Sequence, residues 1–222
     1  MTRRKREICH VVAGPNGSGK STFALNYLPT YAGSIEYVNP DLMAQGLSPT
    51  DIRLAAMKAG KLTLTRIAKL IADGAPFGFE TTLAGRGHLK LLSDAKVAGY
   101  AINLYYLWMP ESAMLPMRIR HRVLDGGHDV PPDEVMRRYA RSRTNLKDYI
   151  SLADTVYVFD ATQTVLDLIW RRNGEEFVCN AAKAAEWARW RSPSHHPTSS
   201  PSHLSTPNET PSCQKEIAEG RT

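Results

Sequence analysis

The chain has 222 residues, 42% of them hydrophobic, and a formal net charge of +6 from 28 Lys and Arg against 22 Asp and Glu. That is enough apolar sequence for one catalytic domain with a sizeable core, but no run approaches the roughly 18–20 residues of a membrane span. The cysteines Cys9, Cys179 and Cys213 have neither CxxC nor Cys/His metal spacing, so a reduced, cytoplasmic setting without a membrane partner is expected.

Residues 1–7, with Arg3-Arg4-Lys5-Arg6, read as a solvated basic flank. Ile8 to Ala13 is a short apolar run stopped by glycine, and Lys20 to Leu28 has helical spacing, which gives a strand, a loop and a helix. Ile35 to Asn39 reads as a second strand. Ser48 is the expected N-cap of a long helix reaching about Ala72, ended by Gly74 and Pro76.

Phe77 to Thr82 reads as a third strand and Arg86 to Val97 as a helix. Ala101 to Trp108 reads as a fourth strand, with Ile102, Leu104, Tyr106 and Trp108 on one face. Two helical stretches, Glu111 to Leu124 and Pro132 to Asp148, flank Gly126-Gly127-His128-Asp129-Val130-Pro131. Thr155 to Phe159 follows as a fifth strand, then a small one near Glu176 to Val178 and a helix from Ala181 to Arg191. Alternating strands and helices predict an α/β three-layer sandwich. Its central, mainly parallel sheet has five strands, with ligands outside the carboxyl ends. From Ser192 to Thr222 the Ser/Pro/Thr/His-rich composition predicts a disordered tail, leaving residues 8–191 as the domain.

The strongest chemical signal is Gly14-Pro15-Asn16-Gly17-Ser18-Gly19-Lys20-Ser21, followed by Thr22. It satisfies the P-loop pattern between a strand and a helix. Glycines let backbone N–H groups close on phosphate oxygens, and the helix N-terminus adds partial positive charge. Lys20 is expected at the β- and γ-phosphates of ATP, and Ser21 on Mg²⁺. The motif alone does not separate kinases from other nucleotide hydrolases.

Three further features bear on that choice. Asp41, in Asn39-Pro40-Asp41, sits past the second strand on the rim of the phosphate loop. It reads either as a base for an acceptor hydroxyl or as turn chemistry. Glu80 ends the third strand with Thr81 and Thr82. It reads as a ligand for substrate hydroxyls, as a group acting on Mg²⁺ through water, or as a partner for an arginine, while Thr82 reads as a ligand or a turn cap. Between Met117 and Lys147 eight basic residues face four acidic ones, which suits a lid at about 117–147 that closes over phosphate. Arg122 and Arg138 are its best-placed arginines.

The order of these motifs resembles the zeta-toxin family of P-loop kinases, from about Ile8 to Asp160. Phe79-Glu80-Thr81-Thr82-Leu83-Ala84-Gly85-Arg86 in particular is similar to its short bacterial branch. The resemblance implies a kinase fold with a helical lid and Asp41 as catalytic base. It also implies acceptor binding by Glu80 and Thr82, and Arg122 and Arg138 on the ATP phosphates. The family's described acceptor is UDP-N-acetylglucosamine, and some members pair with an antitoxin protein. Toxic members carry an arginine two residues after the Thr. Here Ala84 stands there, and Arg86, two further on, is the expected substitute.

The expectation is therefore an ATP- and Mg²⁺-dependent kinase acting on a small-molecule hydroxyl. Two alternatives remain, a P-loop ATPase without an acceptor and a basic, nucleic-acid-associated ATP-binding protein. Localised charge, and few aromatics beside it, argue against the second.

Overall fold

The computed structural model describes residues 6–33, 35–47, 52–112, 114–124 and 130–192. Most of the expected basic flank, nearly all of the expected tail, Ser48 and the 126–129 turn fall outside them.

Seven strands form one sheet: β1 (Ile8–Ala13), β2 (Glu36–Val38), β3 (Phe77–Thr81), β4 (Ala101–Trp108), β5 (Thr155–Asp160), β6 (Asp167–Asn173) and β7 (Glu175–Val178). Their order is β2-β3-β1-β4-β5-β6-β7. The first five pair in parallel, and β6 and β7 are added antiparallel. The helices are α1 (Lys20–Asn26), α2 (Leu28–Ala32), α3 (Pro40–Leu47), α4 (Ile52–Asp73), α5 (Gly87–Val97), α6 (Met114–Leu124), α7 (Pro132–Leu152) and α8 (Ala181–Arg191).

Both faces of the sheet are covered, so the central strands are apolar on both sides. Cys9 and Val11 of β1, and Ile102, Leu104, Tyr106 and Trp108 of β4, pack with residues of α4, α5, α7 and α8. Val12, Tyr105 and Leu107 point the other way, to Phe23 of α1, Leu28 of α2, and Leu115 and Ile119 of α6. The face expected for β4 is the face observed.

The sheet has seven strands rather than five because a hairpin extends it. Trp170-Arg171-Arg172 in β6 reads as polar, yet each charge is accommodated. Arg171 lies over the Phe177 ring at 4.7 Å, and Arg172 donates to the carbonyls of Ile150 and Ala153. Gly174, at φ 74°, turns the chain between β6 and β7.

α3 was also hidden, because Asn39-Pro40-Asp41 reads as a turn. Asn39 instead caps the helix: its Oδ1 accepts from the N–H of Asp41 at 2.8 Å and of Leu42 at 3.1 Å, and Pro40 takes the first helical position. Cys9 is a buried free thiol. Cys179 is disulfide-bonded rather than the reduced thiol expected. Among the described residues no helix is long and apolar enough to cross a membrane.

The topology places the site. β1 connects leftward to β2, beyond β3, whereas β3 crosses β1 to reach β4. The loops after β1 and β3 therefore leave for opposite faces, and a crevice opens between them at the carboxyl ends of the strands.

Candidate active site

The loop from Gly14 to Lys20 is built for close backbone approach. Gly14 has φ 154°, and a Cβ there would lie 2.8 Å from the carbonyl oxygen of Leu107, so a side chain is excluded sterically. Gly19, at φ 90°, occupies the left-handed N-cap of α1. Lys20 is buried and bends back over the loop, its Nζ donating to Pro15 O at 3.0 Å. A cavity of about 430 Å³ opens in front of it. Asn16, Gly17, Gly19, Lys20, Ser21 and Thr22 stand on its wall, whereas Gly14, Pro15 and Ser18 are buried behind it.

Two carboxylates share this cavity, Asp41 at the start of α3 and Glu80 at the end of β3. Glu80 is 3% exposed and its Oε2 accepts from Ser21 Oγ at 3.0 Å and Tyr37 OH at 3.5 Å, while Asn39 Nδ2 reaches Ser21 Oγ at 3.4 Å. Burial pushes the Glu80 carboxyl above its usual range. Lys20 opposes that rise, Asp41 adds to it, and the hydrogen bonds from Ser21 and Tyr37 counter it. Among the described residues Glu80 thus answers to a lysine and hydroxyls, not to an arginine.

A carboxyl whose pKa is higher folded than unfolded stabilises the fold only while protonated. Its contribution is present below the usual 4.5 and is lost as pH rises towards the folded value. Glu80→Gln keeps an acceptor for Ser21 and Tyr37 without the buried charge. In thermal melts without nucleotide it is expected to gain on the order of 1 kcal/mol at pH 7, a gain that shrinks as pH falls towards the usual carboxyl range. Its phosphotransfer is expected to fall sharply, in the familiar opposition of stability and activity.

The segment after β3 is held from a distance. Strand alternation turns Glu80 towards α1 and Thr81 towards α5. Leu83 follows at φ 59°, a left-handed conformation unusual for a branched side chain, and is fully buried. Its N–H donates to Thr81 Oγ1 at 3.0 Å, and its carbonyl accepts from Asn145 Nδ2 of α7 at 2.8 Å. Tyr149 of α7 donates to Gly85 O at 2.9 Å. Asn145→Ala strands a buried carbonyl and frees a strained turn, with an expected loss of about 1–3 kcal/mol, read as a lowered Tm.

Thr82 before this turn, and Gly85 and His88 beyond it, line the cavity. Arg86 does not. Its guanidinium faces outward to Asp148 of α7 at 3.0 Å and is 70% exposed, away from the cavity wall where the expectation had put it. A carboxylate 62 residues away claims it.

The arginines of the expected lid separate clearly. Arg138 of α7 lines the cavity and is held by Glu134 one turn earlier, Nε to Oε1 at 2.8 Å. The side chain of Arg122 lies outside the described part of the structure. Arg118, not singled out from sequence, lines the cavity, with its Cβ lying 3.5 Å from where a Cβ on Gly17 would stand. It donates to Ala161 O at 2.7 Å and Thr162 O at 2.6 Å, tying α6 to the end of β5. Arg143 is structural, donating to Trp190 O and lying over the Trp190 ring at 5.1 Å.

Strand order, glycine loop and a helical pair over the crevice together define the P-loop kinase fold. The chain belongs to the same family as an uncharacterized protein of Haemophilus influenzae, to which it is 32% identical over 126 residues, 57% of this chain and 88% of that protein. No protein-family model matches it. Among solved structures it is similar to a chain of the PezAT chromosomal toxin–antitoxin system of Streptococcus pneumoniae, with TM-score 0.59 and 16% identity over 81% of this chain and 78% of that one. It is also similar to a chain of AvrRxo1-ORF1:-ORF2 with ATP, with TM-score 0.65 and 17% identity over 88% of this chain. It spans 66% of that chain's length. These are likenesses of fold, and the fold is the one that the zeta-toxin resemblance implies.

Proposed function

We propose that the protein is an ATP-dependent kinase of the zeta-toxin type, transferring the γ-phosphate of Mg-ATP to a hydroxyl of a small molecule. The observation that carries this reading is one cavity whose wall holds a phosphate loop with Lys20, two carboxylates, Asp41 and Glu80, and an arginine of the lid, Arg138. An ATPase needs a positioned water. A second carboxylate and a walled space beyond the phosphates suit a larger acceptor.

In this reading the loop N–H groups and Lys20 hold the β- and γ-phosphates, and Arg138 exchanges Glu134 for developing charge on the migrating phosphoryl group. Arg122 is assigned the second lid contact. Ser21 Oγ and the Glu80 carboxylate, 3.0 Å apart, are oxygen donors of the kind Mg²⁺ takes together with phosphates, Glu80 acting through water. When bound, the ion neutralises charge on the phosphates. Asp41 accepts the proton of the acceptor hydroxyl as its oxygen bonds to the γ-phosphorus. The bond from that phosphorus to the β,γ-bridging oxygen breaks, and ADP leaves. Glu80 and Thr82 orient the acceptor.

The resemblance makes UDP-N-acetylglucosamine and other nucleotide sugars the first acceptors to try. PezAT, named as a toxin–antitoxin system, supports a search for an antitoxin partner here. The test is incubation of the full chain with γ-labelled ATP and a cell extract, with mass spectrometry of whatever gains label. A labelled phosphate ester is expected, and label found only as inorganic phosphate would favour an ATPase.

A further inference from the structure

Resting on that kinase reading, we infer that Asn39 is a positioning residue for phosphoryl transfer. One end of its side-chain amide fixes the Ser21 hydroxyl for Mg²⁺ while the other holds the helix that carries Asp41.

Strand register puts it there. β2 pairs with β3 in parallel, Val38 beside Phe79, so Asn39 stands one step past β2 and beside Glu80. Val38 and Phe79 pack on the face covered by α4 and α5. Alternation turns Tyr37, Asn39 and Glu80 to the opposite face, where Ser21 stands in the first turn of α1.

Asn39 is buried, and both ends of its amide are engaged. Oδ1 accepts from the N–H of Asp41 at 2.8 Å and of Leu42 at 3.1 Å, and the backbone carbonyl accepts from Met43 N–H at 3.1 Å. These bonds fix the first turn of α3 and place Asp41 on the cavity wall. With its oxygen committed to two N–H groups, the amide presents its NH₂ to Ser21, 3.4 Å from Oγ.

The consequence falls on the Ser21 hydroxyl, which has one hydrogen and two acceptor sites. A donor on the Asn39 side leaves the hydrogen to Glu80 Oε2, 3.0 Å away, and so sets the hydroxyl rotor. Tyr37 OH approaches the same Oε2 at 3.5 Å, which makes this oxygen the acceptor for both hydroxyls. Asn39 takes one acceptor site of Ser21 Oγ, and the second is left for a cation. Mg²⁺ demands near-ideal placement of its oxygen ligands, so a freely turning hydroxyl is a poorer ligand than a fixed one.

Ser21 and Asn39 lie 18 residues apart in sequence. Two atoms of one amide therefore set the ion-holding hydroxyl and the base relative to each other. A helix cap alone would be served as well by serine; the bond to Ser21 Oγ is what asks for an N–H.

The test separates the two ends of the amide. Asn39→Ser keeps a cap of similar strength and removes the N–H, whereas Asn39→Ala removes both. Calorimetry of the full chain with ATP, in Mg²⁺ and in EDTA, gives the gain in affinity that the ion confers. In Asn39→Ser that gain is expected to fall roughly fivefold, with the Kd in EDTA and the Tm without nucleotide close to wild type. Asn39→Ala is expected to lose the same gain and about 2–4 °C of Tm as well. On a Ser21→Ala background, Asn39→Ser is expected to lower the gain no further, because the hydroxyl it acts through is gone. Asn39→Thr, a second cap without an N–H, serves in the same comparison where the serine variant does not fold.

A Mg²⁺ gain equal to wild type in Asn39→Ser overturns the inference and leaves Asn39 as a cap. A further fall on the Ser21→Ala background overturns it too, as does a wild-type protein with no Mg²⁺ gain. Transfer is scored apart, with γ-labelled ATP and cell extract. Label found only as inorganic phosphate overturns the kinase reading and leaves the calorimetric comparison intact, so the two failures are distinguishable.

Discussion

Asp41→Asn protein is expected to bind ATP like the wild type and to transfer its γ-phosphate about 10²–10⁴-fold more slowly. The substitution is close to isosteric, and the Asp41 contribution to α3 is made by its backbone N–H, which donates to Asn39 Oδ1 at 2.8 Å and is retained. The cap and the phosphate loop therefore survive, and only the capacity to take a proton at the cavity wall is lost. The check is a pair of measurements on one preparation, ATP affinity by calorimetry and the single-turnover rate of label transfer. Transfer at the wild-type rate would remove Asp41 from the role of base and return it to turn chemistry.

Lys20→Ala is expected to abolish transfer by weakening the hold on ATP itself. Lys20 is buried, folded over Pro15 and coupled to the Glu80 charge. Its loss removes positive charge from a low-dielectric site where phosphates are expected and leaves Glu80 less compensated. Wild-type protein at a hundred times its Kd for Mg-ATP is expected to gain about 2.7 kcal/mol of stability. The variant is expected to show little shift in Tm at the same concentration. A full ATP-induced shift in Lys20→Ala would mean that the nucleotide is held elsewhere.

How much of this could be read from the chain depends on how local each cause is. The phosphate loop was legible because Gly14, Gly17 and Gly19 fix backbone geometry within eight residues, and the parallel strands because burial on both faces makes them continuously apolar. The side chosen by β4 follows from strict alternation between Ile102 and Trp108. α3 was not legible, since Asn39 and Pro40 serve a turn and a helix start equally well and only the register of the Asn39 side chain decides. β6 was hidden by Arg171 and Arg172, whose charges are accommodated by Phe177 and by the carboxyl end of α7.

The arginines were the least legible part of the site. Arg86 follows the Glu80–Thr82 motif closely but is drawn away by Asp148, and Arg118 looked like one more helix charge until α6 packed beside Gly17. Guanidinium groups sit on long flexible stems, so partners distant in sequence decide where they point. His88 was missed for the same reason. Its neighbours Phe79 and Thr81 lie on the preceding strand, and only the strained turn at Leu83 folds α5 back onto them.

The central claim is transfer rather than hydrolysis, and phosphorus NMR of wild-type protein with Mg-ATP and a small-molecule extract measures it most directly. A phosphomonoester resonance growing in step with ADP is the result expected. Inorganic phosphate growing in step with ADP, with no ester formed, would contradict it.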